Sequence, residues 1–409
     1  MKTAVLLIAS CFFLLFVLTT FVPFPGAIQE AHAAGFDSSD IANGLQLTFE
    51  RRFFFWGATL LELGLLCFLA LTGWSRRWAD RFLAWPHLGR IYAVLAIGLV
   101  YLALHEVLFV PLGVARWYHA RAWGMSNLDL ADWFRERYLA YGINLIGEVI
   151  VVVGFYALLI LLPRVWWLIA PLGLSALGIA YAFLAPIWIN PLFNTFTPLE
   201  ETQWRHQQPR VQDLIDKAKV PVQEILVMNA SRQSNHTNAY FTGFGPTRRI
   251  VLYDTLLKNH TDAEIESILG HELGHWQLDH INKGILLGTL AALLGCFVLD
   301  RCLLAAIGRA PWHLHSIADP AGLPLVMLLI FLGSWITMPV TNAVTRYFER
   351  QADTASLELA GQTEAFIAAE LKLAKVNKSN VAPAPWNVWL FSSHPPTVER
   401  IRMAREWKP

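Results

Sequence analysis

The chain has 409 residues, 55% of them hydrophobic and only 15% charged, against about 25% charged in an average soluble domain. So little charge cannot coat a globule of this size, and lipid must solvate much of the chain. A formal net charge of +1 removes any general electrostatic case for nucleic acid as a partner, and four cysteines in apolar stretches, with no CxxC pair, exclude a disulfide framework and a thiolate metal site.

In chain order, the first element is the apolar run 4–22 behind Lys2. With Ala31-His32-Ala33 downstream it has the layout of a secretory signal, yet it is longer than the 7–15-residue apolar core of such signals. A retained first helix and a cleaved signal both stay open on the sequence. Four stretches of the length a bilayer needs follow at 53–74, 91–113, 141–163 and 166–188. Tryptophans gather at their ends (Trp74, Trp78, Trp85, Trp117, Trp123, Trp166, Trp167, Trp188), as in the aromatic belt of a multi-span protein. A polar block, 189–283, precedes a two-span hairpin at 284–308 and 324–341, and a polar tail runs from 342 to 409. The chain divides accordingly into a membrane region (1–188), a first catalytic part (189–283), the hairpin (284–341) and a second catalytic part (342–409). A hairpin returns the chain to the side it left, so the two polar blocks can form one unit.

Charges inside hydrocarbon cost several kcal/mol unless they find a partner or a wet cavity. Asp300 and Arg301, near a span end, read as a structural pair. Glu62, His105, Glu106 and Glu148 lie deeper and are compatible with a hydrated interior.

The strongest chemical signal is His271-Glu272-Leu273-Gly274-His275. Thr261-Asp262 offers a helix start, and Ile265, Ile268 and Leu269 follow at helical spacing. On that helix His271 and His275 stand one turn apart on one face and can share a Zn²⁺, while Glu272 is placed to act on water as a general base. A third ligand of the histidine type fails, because the spacing that pattern needs is occupied by Leu278 and Ile281. His280, five residues beyond His275 and about 140° round a helix, reads as a surface or interface histidine. In the tail, Glu349 and Asp353 are again i and i+4. Glu349 completes a His₂Glu set, and Asp353 can accept a hydrogen bond from a ligand imidazole.

These residues sit among further stretches that together resemble a known family: Asn190-Pro191-Leu192-Phe193-Asn194, Ser234 to Phe241, Arg249 to Leu256, and His394-Pro395-Pro396 with Glu399-Arg400-Ile401. The sequence resembles the integral-membrane zinc endopeptidases of the CAAX prenyl protease 1 type, which are gluzincins. The resemblance implies an all-α polytopic membrane protein, with about seven transmembrane helices around a chamber. It also implies a mainly helical catalytic domain carrying a small β-sheet, and one zinc per chain. It assigns Asn238 and Ala239 to an edge strand that lies along the peptide substrate, where backbone groups hold an extended chain. It assigns His394 and Arg400 to the scissile carbonyl as oxyanion stabilisers, beside Glu272 as catalytic base.

The expected activity is hydrolysis of peptide bonds in a peptide or protein substrate, lipidated or membrane-embedded. Nothing in the sequence is specific for a prenyl group, so quality control of unmodified membrane proteins is an equal reading. A transporter or channel with a structural metal site is the rival class. The N-terminus looks like that of a bacterial inner-membrane protein; the resemblance favours a catalytic side that faces the cytosol, whereas a cleaved signal favours the periplasm. The basic residues of the short loops divide evenly, so the positive-inside rule does not decide.

Overall fold

The computed structural model describes residues 2–85, 89–243 and 245–408. Helix α1 (Lys2–Phe21) and α2 (Pro25–Ala34) are followed by the long α3 (Ser38–Leu71), a short amphipathic α4 (Trp74–Leu83), and α5 (Arg90–Ala122), α6 (Leu130–Leu161) and α7 (Trp166–Leu184). Strand β1 (Phe196–Pro198), α8 (Gln208–Ala218), β2 (Glu224–Met228), β3 (Ala239–Thr242) and β4 (Arg249–Tyr253) come next, then α9 (Asp254–Asn259), α10 (Asp262–Gln277) and α11 (His280–Ala306). The chain ends with α12 (Leu323–Ala360), α13 (Thr363–Val376), α14 (Pro385–Phe391) and α15 (Thr397–Glu406).

Among the described residues six helices are long and apolar enough to cross a bilayer, and a seventh if α1 and α2, bent by 44°, count as one span. Each of the six internal stretches expected from hydropathy coincides with one of these helices, and 53–74, 141–163 and 284–308 overrun the helix end by two or three residues. The expected divisions at 283/284 and 341/342 lie inside α11 and α12, so membrane and catalytic parts share continuous helices. Several polar groups in the spans are paired. Tyr101 donates to Glu62 at 2.8 Å, Arg137 grips both Glu106 oxygens at 2.9 and 3.1 Å, and buried Asp300 accepts from Trp166 Nε1 at 2.7 Å beside Arg301.

The N-terminal segment is built into the body. Trp56 donates to Thr19 at 3.1 Å. Ala27, Ala31 and Ala34 are buried in one apolar cluster with Phe36, Ile41, Ala374, Val381 and Ile401, and Arg405 donates to the carbonyls of Ala33 and Ala34.

The sheet has the order β1-β2-β4-β3; β2 runs parallel to β4, and β3 is an antiparallel edge. One face is buried by an apolar core that includes Val227, Ile250 and Leu252, together with Ile265, Leu269 and Leu273 from α10. Those three residues recur every fourth position, the period that puts one helical face against a core.

Candidate active site

Helix α10 starts where the sequence directs. Thr261 Oγ1 accepts from the Glu264 N–H, and the Glu264 carboxylate accepts from the Thr261 N–H at 2.9 Å, a reciprocal capping box. With one face on the sheet, α10 lays the opposite one on α12. A Cβ on Gly270 would come within 3.2 Å of the Ser356 Cα, and one on Gly274 within 2.8 Å of the Ala355 Cβ. Only glycine permits this approach, and it brings His271 and His275 against Glu349.

The three expected ligands converge. His271 Nε2 and His275 Nε2 are 3.2 Å apart, and lie 3.3 and 3.5 Å from one or other Glu349 oxygen. With metal–ligand bonds of about 2.0–2.1 Å, the edges of a tetrahedral zinc site are roughly 3.3 Å, so the trio fits that ion. Two further observations point to a cation. Glu349 Oε2 is buried without a hydrogen-bond partner. Burial opposes charge on His271, yet Asp353 on one ring nitrogen and Glu349 on the other prevail and push its pKa up to about 10. His275, buried and beside that charge, falls to about 4.

His271 Nδ1 lies 2.8 Å from Asp353, the partner expected for it. Arg400, assigned by resemblance to the scissile carbonyl, is instead turned into the protein. Its guanidinium is gripped through Nε (2.9 Å) and Nη2 by Asp353, while Nη1 meets Glu370 at 2.7 Å. His394 does reach the cluster: its Nε2 is 3.3 Å from Glu349, its Nδ1 is 2.9 Å from Ser393 Oγ, and the side chain is largely exposed. It shares a wall with a cavity of about 640 Å³ lined also by Arg51, Asn342, Asn380 and Asn387. Glu272 is half-buried, and desolvation pushes its carboxyl above the ordinary range; the neighbouring His271 opposes this without cancelling it.

Asn238 and Ala239 lie at the start of the edge strand. The Tyr253 N–H donates to the Asn238 carbonyl at 3.1 Å, and the register pairs Ala239 with Leu252. By the alternation of an antiparallel ladder, Ala239 and Phe241 therefore turn their backbone groups to the open edge. The Asn238 side-chain oxygen accepts from the Ala239 N–H at 3.0 Å.

Three supporting residues went unread in the sequence. Asn377 accepts from the Thr237 N–H and meets His236, holding the approach to β3, but nothing local marks it. Glu370 is a buried carboxylate on an otherwise ordinary helix. His280, expected at a surface or an interface, is buried at the contact with α12, with its Nδ1 3.0 Å from His275 Nδ1. The helical-wheel argument failed because the helix ends first: Asp279 takes φ 57°, and His280 begins a new helix in another direction.

Two imidazoles and a carboxylate around a cation-sized gap, with a second carboxylate alongside and the outer edge of a sheet nearby, define a metallopeptidase site. Residues 200–408 match peptidase family M48. A protein of Bacillus subtilis, the "uncharacterized metalloprotease YhfN", is 30% identical over 97% of this chain and 93% of its own. The CAAX prenyl protease 1 homologs of Arabidopsis thaliana (33%) and Homo sapiens (30%) match over 55% and 54% of this chain and about half of their own length, 53% and 54%. The crystal structure of S. mikatae Ste24p superposes with a TM-score of 0.82 at 20% identity, covering 98% of this chain and 99% of that one, and shares the fold. The chain belongs to peptidase family M48. It is a multi-pass, zinc-dependent membrane metalloendopeptidase.

Proposed function

We propose that the chain holds one zinc ion on His271, His275 and Glu349 and cleaves peptide bonds at the open edge of β3. The observation that carries this reading is the convergence of the two Nε2 atoms and the Glu349 carboxylate at 3.2–3.5 Å. Bound there, zinc supplies Lewis-acid activation of water and of the peptide carbonyl. The backbone edges of Ala239 and Phe241, with the Asn238 amide, hold an extended substrate in register. Glu272 takes the proton of the attacking water and passes it to the leaving nitrogen, a two-way exchange that a raised carboxyl pKa favours. Desolvation beside the cluster lowers the His394 pKa, which favours its neutral imidazole. With Ser393 hydroxyl donating to Nδ1, its Nε2–H is free to donate to the carbonyl oxygen as charge develops there. Arg400 acts one step removed: it fixes Asp353, and Asp353 fixes the His271 ring.

In purified, zinc-loaded protein, Glu272→Gln is expected to abolish peptidase activity while retaining one zinc per chain. Intact activity would refute the assignment.

The substrate reading is cleavage of membrane-embedded or membrane-anchored proteins, with no requirement for prenylation. It is supported by the helices that α11 and α12 carry from the bilayer into the site. Comparing membranes that carry the wild type with membranes that carry the Glu272→Gln trap identifies what accumulates. Enrichment confined to lipidated chains would overturn it. The burial of Ala31 and Ala34 supports a retained first helix, and the likeness to the CAAX prenyl protease 1 homologs supports a cytosolic catalytic side in a bacterial inner membrane. A C-terminal reporter active on one side only tests that orientation.

A further inference from the structure

We infer that His280 is a positioning residue of the metal site, and that the kink at Asp279 exists to deliver it to His275. The inference rests on His275 being a ligand through Nε2. An imidazole that lends its Nε2 lone pair carries its hydrogen on Nδ1, and a buried N–H needs an acceptor. The acceptor 3.0 Å away is His280 Nδ1. His280 must then carry its own hydrogen on Nε2, and 3.2 Å from that atom lies the side-chain oxygen of Gln351. Gln351 Nε2 in turn donates to the Tyr347 hydroxyl at 3.4 Å. Each donor in this series meets an acceptor, so the series permits one tautomer at each imidazole.

The ring itself is fixed by packing. His280 is 5% exposed and stacks on Phe348 with centroids 4.5 Å apart and planes at 11°. Phe348, Gln351 and Tyr347 all belong to α12, the helix that also carries Glu349. His271 is therefore oriented directly from α12, by an ionised carboxylate, and His275 from the start of α11, by a neutral imidazole that α12 holds in place. A neutral acceptor fixes the tautomer without adding charge beside Glu349, Asp353 and Glu272.

The backbone is shaped for this contact. In an unbroken helix, position 280 would point about 140° away from position 275. Asp279 interrupts the helix in the left-handed region, where an aspartate is tolerated at modest cost. The turn is held by Asn282 donating to Asp279 Oδ1 at 2.7 Å and by Lys283 Nζ donating to the Leu278 carbonyl at 2.8 Å. Strain of this kind persists where its surroundings over-determine it, and it clusters at functional sites.

The test is competition for zinc between the full-length, detergent-solubilised chain and a chromogenic chelator. His280→Phe keeps the ring and its stacking but removes the acceptor, and is expected to weaken zinc binding about 10–100-fold. His280→Gln returns an acceptor oxygen and is expected to recover affinity to within about threefold of wild type. Wild-type affinity in His280→Phe, or equal weakness in both variants, overturns the inference. Should His280→Phe not fold, Gln351→Leu, which removes only the acceptor for His280 Nε2–H, is read in its place; weakened binding supports the inference and unchanged binding overturns it. His271→Ala serves as the reference: if it bound zinc like wild type, the ligand set itself would be wrong, and that failure is distinct from a failure of His280 alone.

Discussion

Two helix pairs of this chain meet in opposite ways. Helices α10 and α12 touch through Gly270 and Gly274, where a single methyl group would collide with Ser356 or Ala355. Helices α7 and α11 also carry glycines, yet a Cβ on Gly173, Gly178, Gly284, Gly288 or Gly295 would meet nothing within 4 Å. That second pair is tied by the Ser175–Thr289 hydrogen bond at 2.6 Å and encloses a cavity of about 640 Å³, which reaches Phe241 and Thr242 at the end of β3. Glycine thus does two different things here. Between α10 and α12 it removes the last obstacle to contact, and metal ligands from two helices come within one coordination distance. Between α7 and α11 it leaves room beside the edge strand β3.

The comparison can be broken or sharpened by graded substitutions. The largest effect is expected from Glu272→Gln, which alters neither interface. It should lower kcat by about 10²–10⁴-fold in a peptide-cleavage assay while zinc content, read by metal analysis, is unchanged. The same carboxylate sets the acid limb of the wild-type profile. Its pKa is raised, it works deprotonated, and activity is lost as pH falls through that raised value. The limb of kcat/KM against pH should therefore lie above the ordinary carboxylate value of 4.5.

Asp353→Asn keeps the shape of the α10–α12 contact but removes its charge, and zinc affinity should fall about 10–100-fold in chelator competition. Gly274→Ala keeps all the chemistry and attacks the contact. Overpacking there should cost about 1–3 kcal/mol in thermal or denaturant unfolding, with zinc loss in parallel. Gly288→Ala marks the bottom of the scale, with a stability change within about 0.5 kcal/mol and full zinc occupancy. Equal damage from Gly274→Ala and Gly288→Ala would erase the distinction between the two pairs.

What could be read in advance follows the range of the interactions. Hydropathy places a span without knowledge of its neighbours, so every internal span was legible. HExxH and the Glu349/Asp353 pair are local spacings on single helices, and they were legible for the same reason. Contacts that depend on how elements meet were not. Arg400 was assigned outward to the substrate, whereas Asp353 and Glu370, from two other helices, turn it inward. His280 was placed on a wheel that assumes an unbroken helix, and one residue at positive φ invalidated the wheel. Asn377 pins the strand approach from a helix end far away in the chain, with no spacing rule to announce it.

Helix α12 runs without interruption from Leu323 in the apolar hairpin to Ala360. Glu349, Asp353 and the residues that orient His280 all ride on it. A tilt imposed on its lipid-facing half would reach Glu349 through the turn at Pro339, where the proline ring removes a backbone hydrogen bond and permits a bend. The bilayer and the site are therefore coupled through a helix that can bend at one proline, and not through a loop.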